Sequence, residues 1–356
     1  MDADITNEVM TQKKDCRLAN FELLRIVAML LVMTVHANFT TFGAPDFDSL
    51  KSNPVSTFLR YLGESLSIVG VDVFVLISGW FGIKLTMNKL GNLIFQVFFF
   101  SFGFFLAYLF INPNEALSLS GLKSIFLFQG KDYWFIKAYT ILLLLSPFLN
   151  SFIQDVHQKG FASVLSCYLL FMFIYGWMEP ESIHFTMNGT SALSFVGLYL
   201  IGRYASKYRG LWINLNKYYD LLIYFGLSIL LAVICYFLLG RGIRTTLDSR
   251  LLNYGNPLII LSSLYLLLFF SKLSFSCKLI NWVASSCLAA YLLHCNFFFF
   301  GQYTSTIKIC IQNYEFGWIL TFVFIILLFT FSVFIDKLRI CIWKKIQECF
   351  SFCSKL

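Results

Sequence analysis

The chain has 356 residues, of which 58% are hydrophobic, 19% are aromatic and only 13% are charged, and its mean hydropathy is +0.73. These values exclude an ordinary soluble domain and predict an all-α, polytopic membrane protein surrounded by lipid. Membrane topology and anionic lipid account for the formal net charge of +8, so no nucleic-acid partner is expected.

About ten apolar segments are long enough to cross the hydrocarbon, which takes roughly 17–25 residues. With the N-terminus inside, the alternating segments carry 17 Lys and Arg on the cytoplasmic side and 8 on the opposite side. This asymmetry predicts that both termini are cytoplasmic. The predicted organisation is a tail over 1–19, a transmembrane domain over 20–336 and a basic tail over 337–356. The predicted spans are 20–40, 64–84, 90–112, 132–153, 161–179, 190–206, 218–240, 254–272, 281–300 and 315–336.

The first predicted span contains three polar residues, Glu22, Arg25 and His36. A charged side chain in the hydrocarbon costs about 2.5–3.5 kcal/mol, so each is a candidate for function. The spacing of Arg25 and His36 places them about 20° apart on one helical face and about 16.5 Å apart along the axis. Glu22 lies one turn before Arg25, where an ion pair is favoured. The alternative is structural: an interfacial Glu22–Arg25 pair, with His36 closing the helix end.

Two further polar residues are predicted at the depth of His36, near the outer side of the membrane. Asp72 lies in the second predicted span and His294 in the ninth. A carboxylate that accepts a hydrogen bond from an imidazole fixes its tautomer and raises its basicity. Asp72 is therefore a candidate partner of either histidine. The alternatives are an ion pair with Lys137 and a backbone bend near Gly70.

The fourth predicted span has Trp134 near its start, which suits an interfacial aromatic belt, and contains Lys137 at greater depth. The ten cysteines are scattered, and several fall within apolar spans, which predicts buried structural thiols. Neither a disulfide framework nor a metal cofactor is expected. The longest segment between spans is 41–63, so an active site must be formed by the spans and their short loops.

Four segments, in this order, resemble the acyltransferase-3 family of integral membrane O-acyltransferases, which modify bacterial surface polysaccharides and related acceptors. "NFELLRIVAMLLVMTVHANF" resembles the family's Arg-x10-His motif at Arg25 and His36. "GVDVFVLISGWFGIK" resembles its second helix, with the motif aspartate at Asp72. "YWFIKAYTILLLLSPFLN" resembles a third motif, and "SSCLAAYLLHCN" resembles the late Tyr-Leu-x-His motif at Tyr291 and His294.

The resemblance implies transfer of an acyl group, above all acetyl, from cytoplasmic acyl-CoA to a hydroxyl of an extracytoplasmic glycan or glycolipid. It implies a multi-pass protein of the bacterial inner (cytoplasmic) membrane. His36 is implied as the general base, with Arg25 and Asp72 as further catalytic residues. The substrate-binding residues implied are Trp134, Lys137, Tyr291 and His294.

Donor binding is expected at Arg25, Lys84 and Lys89, because the phosphates of an acyl-CoA favour Arg or Lys near the inner surface. Many members carry a pair of cations after the second helix, whereas this chain has Asn92 at the place of the second cation. A sugar hydroxyl is a poor nucleophile and requires a neutral imidazole as general base. Arg25 and His36 on one face would therefore line an internal path from donor to acceptor.

A secondary transporter or a flippase of a polar or lipid-linked substrate is the alternative function. Such a protein is expected to have helices broken by paired Gly and Pro. The chain has only 6 Pro, and "LSPFLN" is the one predicted interruption of a span. The sequence does not identify the acceptor sugar, the acyl length or the oligomeric state.

Overall fold

The computed structural model describes residues 18–126, 133–178, 187–208, 210, 213–243 and 248–353, which form helices and turns and no β-strand. The first 17 residues, and with them most of the predicted tail over 1–19, lie outside the described residues. The principal helices are α1 (Ala19–Ala37), α2 (Pro54–Ser67), α3 (Gly70–Phe81), α4 (Met87–Ile111), α5 (Trp134–Asp155), α6 (Gln158–Phe171), α7 (Ala192–Lys207), α8 (Lys217–Gly240), α9 (Pro257–Ser271), α10 (Lys278–Ala284), α11 (Cys287–His294), α12 (Phe300–Asn313) and α13 (Gly317–Cys353). The shorter elements are Phe39–Phe42, Phe47–Ser52, Pro113–Ala116, Leu119–Ile125, Asp248–Leu251, the π-helical Met172–Met178 and the 3-10 turn Met187–Gly189.

Seven helical segments of the described residues are long and apolar enough to cross a membrane. The other predicted spans coincide with shorter helices: α7 has 16 residues, α9 has 15, and the ninth span is divided between α10 and α11. An all-α, multi-pass membrane protein is therefore confirmed. The number of ten crossings and the side on which each terminus lies stay predictions.

The helix of the second predicted span begins ten residues before residue 64, at Pro54. The Asn53 side chain accepts a hydrogen bond from the Ser56 amide, and proline is favoured in the first helical turn. Helices α2 and α3 together form a segment of 28 residues. Most of the segment 41–63, which was predicted to lie between spans, is therefore helical, and the second membrane helix begins within it.

The proline of "LSPFLN" lies inside an unbroken helix, so the predicted interruption of this span is wrong. Helix α5 runs for 22 residues through Pro147. Proline lacks the N–H that would bond to the carbonyl of Leu143. The Ser146 hydroxyl donates to that carbonyl at 2.7 Å instead. Such side-chain compensation is how membrane helices tolerate proline.

The ninth predicted span, 281–300, is not a single helix. Ser285 and Ser286 separate α10 from α11, and α11 ends at His294. The Asn296 side chain then turns the chain by accepting a hydrogen bond from the backbone amide of residue 298 at 3.0 Å. Irregular backbone at membrane depth is tolerated where it lines a protein cavity, and this break places His294 at the end of a helix.

Helix α3 lies at the centre of the bundle and packs against α1, α7 and α9. Glycines bring the α3 and α7 backbones into direct contact. A Cβ atom on Gly79 would lie 2.2 Å from the Tyr199 carbonyl oxygen, and one on Gly202 would lie 2.3 Å from that of Leu76. Small residues allow this close approach between membrane helices. The outer helices instead expose apolar side chains, such as Phe110 of α4 at 87%, as expected for a lipid-facing surface.

Helix α13 continues from Gly317 to Cys353 without a break. The predicted boundary between transmembrane domain and tail, at residue 336, therefore falls inside a helix. Arg339, which was assigned to the tail by sequence, is only 2% exposed. The first turns of the segment 337–356 thus pack as part of the bundle.

Candidate active site

Two histidines from distant parts of the chain meet at one end of α1. His36 lies in the last turn of α1, and His294 is the last residue of α11. The Nδ1 atom of His36 lies 2.9 Å from the Nε2 atom of His294. His294 is fully buried, whereas His36 is half-buried. The predicted shared depth is thus accompanied by a direct hydrogen bond between the two rings.

The backbone determines which nitrogen of His294 carries the hydrogen. Its Nδ1 lies 2.5 Å from the carbonyl oxygen of Ala290, and a carbonyl only accepts. His294 Nδ1 therefore donates, and Nε2 of the neutral ring is left as an acceptor. His36 Nδ1 donates to it, so the lone pair of a neutral His36 lies on Nε2. No residue that the structure describes makes a hydrogen bond to His36 Nε2.

A narrow cavity of about 30 Å³ opens beside His36, with space for about one or two water molecules. Its lining is mostly aromatic and apolar. Charge that develops in such water-poor surroundings interacts strongly with nearby polar groups. The residues of the lining include Val32, His36, Val71, Trp134, Tyr254 and Tyr291. The structure thus brings Trp134 and Tyr291, two predicted substrate-binding residues, to the same cavity as the predicted base.

Cys295 adds a sulfur atom to the histidine pair. Its Sγ lies 3.3 Å from His294 Nε2 and 3.5 Å from His36 Nδ1. The residue is half-buried, in the turn that follows α11. Sequence reasoning missed it because the three donors come from two distant segments and show no CxxC spacing. Its position directly after the motif histidine was the one available sequence clue.

Asp72 does not contact either histidine, so the expected carboxylate–imidazole partnership is wrong in this structure. Val71 faces the cavity, and the next residue along a helix points about 100° away. Both Asp72 carboxylate oxygens are buried without a hydrogen bond. The Ser263 hydroxyl of α9 approaches them but donates to the carbonyl of Ile259 at 2.8 Å. Asp72 therefore follows a residue that lines the cavity but lies on another face of α3.

The alternative partnership of Asp72 with Lys137 is absent as well. Lys137 lies in the first turn of α5 and is half-buried, and no hydrogen bond joins it to the Asp72 carboxyl. Lys137 is not among the residues that line the cavity of His36. A role of Lys137 in substrate binding therefore stays a prediction.

Arg25 and Glu22 lie at the opposite end of α1 from His36. The Arg25 guanidinium donates to the Glu22 carboxylate one turn earlier, as the spacing predicts. The Arg25 side chain remains 31% exposed, whereas that of Glu22 is 4% exposed. Because a guanidinium has five N–H donors, this ion pair leaves others available to a ligand.

Comparison with protein-family models gives one finding that decides the class of the protein. A family model described as an acyltransferase domain matches residues 18–336. The chain belongs to the acyltransferase-3 family. Comparison with curated proteins and with solved structures gives no match. Family membership and the apolar helices together identify a membrane acyltransferase.

In this acyltransferase, the third motif positions the chain that follows α3. The Asn150 amide donates to the carbonyl of Ile83 at 2.7 Å, and its oxygen accepts from the Tyr199 hydroxyl at 2.5 Å. The Tyr199 hydroxyl in turn accepts from the Ile83 amide at 3.1 Å. Asn150 therefore holds the backbone just before Lys84.

Arg203 of α7 is a cation at this end of the acyltransferase that sequence reasoning did not select. Its guanidinium lies beside Gly82 and donates to the carbonyl of Trp80 at 3.3 Å. Its Nε is buried without a hydrogen bond. Trp80 also packs on Phe21, one turn of α1 before Arg25, with ring centroids 5.6 Å apart. Arg25 and Arg203 therefore belong to one end of the bundle.

The predicted donor-binding lysines are both exposed, and Lys89 Nζ donates to the Lys84 carbonyl at 3.1 Å. Asn92, at the place of the second cation, accepts from Arg339 of α13 at 2.6 Å. Asn92 thus replaces the cation of the family pattern, and the guanidinium of Arg339 from another helix lies beside it. That arginine also donates to Asp336 through Nε and NH2, which commits it to a buried network.

Proposed function

We propose that this acyltransferase moves an acetyl or similar acyl group from cytoplasmic acyl-CoA to a hydroxyl of an extracytoplasmic glycan or glycolipid, with His36 as general base. The proposal places it in the bacterial inner membrane with both termini in the cytoplasm. The observation that carries it is the hydrogen-bonded pair of His36 and His294 beside the aromatic cavity. The opposite end of the same helix carries Arg25.

The histidine pair supports the assignment of the base. With Nδ1 of His36 donating to His294, its Nε2 is an unprotonated acceptor that no described residue occupies. When Nε2 takes a proton, the positive charge is shared through the Nδ1–H hydrogen bond with a neutral imidazole. His294 thus has the position that a carboxylate has in many catalytic triads.

The cations at the other end of α1 support the assignment of donor binding. An acyl-CoA carries several phosphate charges, and guanidinium groups bind phosphate oxygens through paired N–H donors. Arg25 is partly exposed and Arg203 has an unpaired Nε, so both retain donors. The helical rise from Arg25 to His36, about 16.5 Å, is the length over which the thioester arm would extend.

The chemistry requires one proton to pass from the acceptor hydroxyl through His36 to the sulfur of CoA. The acceptor hydroxyl gives its proton to His36 Nε2 while its oxygen attacks the thioester carbonyl carbon. The tetrahedral intermediate then collapses, the carbon–sulfur bond breaks, and the sulfur leaves as the thiolate of CoA. The imidazolium of His36 protonates that thiolate and returns to its starting state. The products are an O-acyl ester and free CoA.

The proposal is tested with inverted membrane vesicles from cells that make the protein, incubated with acetyl-CoA labelled in the acetyl carbonyl. Label that becomes covalently bound to glycan or glycolipid and is released by mild base identifies an ester. We expect ester label with the natural chain and a loss of at least about tenfold with His36→Ala, since base catalysis contributes roughly 10²–10⁴-fold.

The matched control is His157→Ala, because His157 is exposed in the turn before α6. This variant is expected to transfer acetyl at the normal rate. A transporter or flippase predicts a different result: label that crosses the membrane without becoming covalently bound. Normal ester formation by His36→Ala would overturn the assignment of the base.

A further inference from the structure

We infer that His36, His294 and Cys295 form a binding site for a thiophilic divalent metal ion, specifically Zn²⁺. The three donor atoms are His36 Nδ1, His294 Nε2 and Cys295 Sγ, and they lie within 4.8 Å of one another. The cluster combines one sulfur and two imidazole nitrogens, a donor set that Zn²⁺ favours. Three protein ligands leave the fourth position of a tetrahedral ion open.

The distances among the donors match the edges of a coordination polyhedron. They are 2.9 Å between the two nitrogens, and 3.3 and 3.5 Å from the sulfur to the nitrogens of His294 and His36. With Zn–N near 2.05 Å and Zn–S near 2.3 Å, these edges give angles at the metal of roughly 90–107°. Slight separation of the two rings would bring the angles to the tetrahedral value, so the site needs little rearrangement.

The surroundings of His294 have the arrangement expected around a metal ligand. A metal-binding imidazole generally donates its other N–H to a carboxylate or a backbone carbonyl, which orients the ring. His294 Nδ1 already lies 2.5 Å from the Ala290 carbonyl oxygen. The Nε2 lone pair of His294 is therefore directed toward the other two donors without any change of tautomer.

The remaining ligands reach the binding state by proton movements that balance. The thiol of Cys295 releases its proton to solvent when sulfur binds the metal. His36 transfers hydrogen from Nδ1 to Nε2, so that Nδ1 presents a lone pair. Cys295 and His36 are half-buried, and the cavity beside His36 has room for a small ion.

One consequence rests on the proposed function. A metal bound to His36 Nδ1 leaves a hydrogen on Nε2, so His36 can no longer accept a proton from a hydroxyl. Zn²⁺ at this site would therefore inhibit acyl transfer. Metal binding itself does not depend on catalysis, and the two claims are measured separately.

The binding site is tested with the full chain, without a histidine tag, purified in detergent, stripped of metal and reduced with a phosphine. Co²⁺ serves as the spectroscopic probe for Zn²⁺. We expect one equivalent of Co²⁺ to produce a thiolate-to-cobalt charge-transfer band and the visible bands of a four-coordinate ion. Zn²⁺ should abolish both. Absence of the charge-transfer band in the natural chain would overturn the site.

Two serine variants test whether Cys295 supplies the sulfur ligand. Cys295→Ser should lose the charge-transfer band and weaken Zn²⁺ binding by more than the roughly 10–100-fold that loss of an outer-shell partner costs. The matched control is Cys287→Ser, because Cys287 is buried in α11, the helix that Cys295 directly follows, and is outside the cluster. A band that persists in Cys295→Ser, or that disappears equally in Cys287→Ser, contradicts the assignment.

A measurement on the natural chain avoids any effect of the substitutions on folding. Mass spectrometry follows alkylation of Cys295 with and without Zn²⁺, with half-buried Cys310 as the internal reference. We expect Zn²⁺ to slow alkylation of Cys295 by at least about tenfold and to leave Cys310 unchanged. Equal rates at Cys295 with and without Zn²⁺ would refute the site.

The acetyl-transfer assay then connects the site to the proposed function. Zn²⁺ should inhibit the natural chain at lower concentration than it inhibits Cys295→Ser, with each compared to its own metal-free rate. If the natural chain forms no ester but gives the cobalt spectrum, the proposed function fails and the metal site stands. If it forms ester but gives no cobalt spectrum, the reverse holds.

Discussion

His36 and His294 are 258 residues apart in the chain, yet their ring nitrogens lie 2.9 Å apart. The Ala290 carbonyl determines the tautomer of His294, and His294 in turn determines that of His36. A chain of two hydrogen bonds therefore connects a backbone carbonyl of α11 to Nδ1 of the imidazole whose Nε2 we propose as the base.

The first prediction concerns His294 as a positioning residue. His294→Leu removes the acceptor of the His36 Nδ1–H bond, so the tautomer and the imidazolium of His36 lose their support. We expect kcat for acetyl transfer to fall roughly 10–100-fold, as part of the contribution of base catalysis, with KM for acetyl-CoA unchanged. His294→Gln keeps a side-chain oxygen as acceptor and should recover part of kcat. Equal activity of the two variants would show that the hydrogen bond has no catalytic role.

Much of the fold could be predicted from the sequence because membrane helices are dominated by hydropathy. Within the described residues, each predicted span overlaps helix for most of its length, and the polar residues of the first span lie where the helical spacing places them. Helix ends depend on local hydrogen bonds that hydropathy does not detect, such as the cap by Asn53. The unbroken helix at Pro147 depends in the same way on one serine hydroxyl.

The site was predictable in its depth but not in its contacts. Counting residues from the end of a span gives the level of a side chain, and His36 and His294 do share a level. The direction of a side chain changes by about 100° per residue along a helix, so the depth of Asp72 does not determine which neighbouring helix it faces. The expected partnership of Asp72 with a histidine required both the depth and the direction to match. The positions of Cys295 and Arg203 depend on contacts between helices that are distant in the sequence, and spacing within one segment does not predict such contacts.

The second prediction concerns Arg25. Arg25→Lys keeps the charge but loses the planar fork that binds a phosphate through two N–H groups. A hydrogen bond to a charged group contributes about 1.5–3 kcal/mol, so we expect KM for acetyl-CoA to rise roughly tenfold or more. Expression and insertion of the variant should be normal, as judged from the amount of protein in the membrane.

Arg203→Lys provides the comparison, because Arg203 lies at the same end of the bundle and retains an unpaired Nε. A similar rise in KM would support binding of the donor between the two arginines. Normal kinetics for Arg25→Lys would instead assign Arg25 to its ion pair with Glu22 alone.

The third prediction concerns Asp72. Its carboxyl is buried without a hydrogen bond, and an unsatisfied buried polar group costs about 1–3 kcal/mol. Asp72→Asn supplies an N–H2 that can donate to the Ser263 oxygen, whose own hydrogen is committed to Ile259. We therefore expect the thermal unfolding midpoint of the detergent-solubilised protein to rise. The rate of acetyl transfer by Asp72→Asn is measured on the same preparation, to test for a catalytic role.

Lys137→Met tests whether Asp72 has a distant partner. Because no hydrogen bond joins the two side chains, their effects on the free energy of unfolding should add within about 0.5 kcal/mol in the double variant. A double variant whose free energy of unfolding departs from additivity by more than this would show that the residues interact. If Asp72→Asn loses most of its acetyl transfer while its unfolding midpoint is unchanged, Asp72 has a catalytic role.

The fourth prediction concerns Arg339, which is buried beside Asn92 at the place where many members of the family carry a second donor-binding cation. Asp336 is fully buried, and it accepts from Arg339 Nε at 2.7 Å and from Gln96 at 2.9 Å. Removal of one partner of a buried ion pair costs about 3–5 kcal/mol, because the other charge is left uncompensated. Arg339→Met should therefore strongly lower the thermal unfolding midpoint.

The double variant Asp336→Leu with Arg339→Met separates a structural role of this ion pair from donor binding. Replacement of both charges by apolar side chains of suitable size is often neutral for stability, so the unfolding midpoint should largely recover. The Nε and NH2 of Arg339 bond to Asp336 and its NH1 to Asn92, and the side chain is 2% exposed. Because three of its five N–H donors bond within this network and the side chain is buried, the guanidinium is shielded from a phosphate, and we expect the double variant to keep the normal KM for acetyl-CoA. A rise in KM with recovered stability would show instead that Arg339 replaces the missing cation at Asn92 and binds the donor.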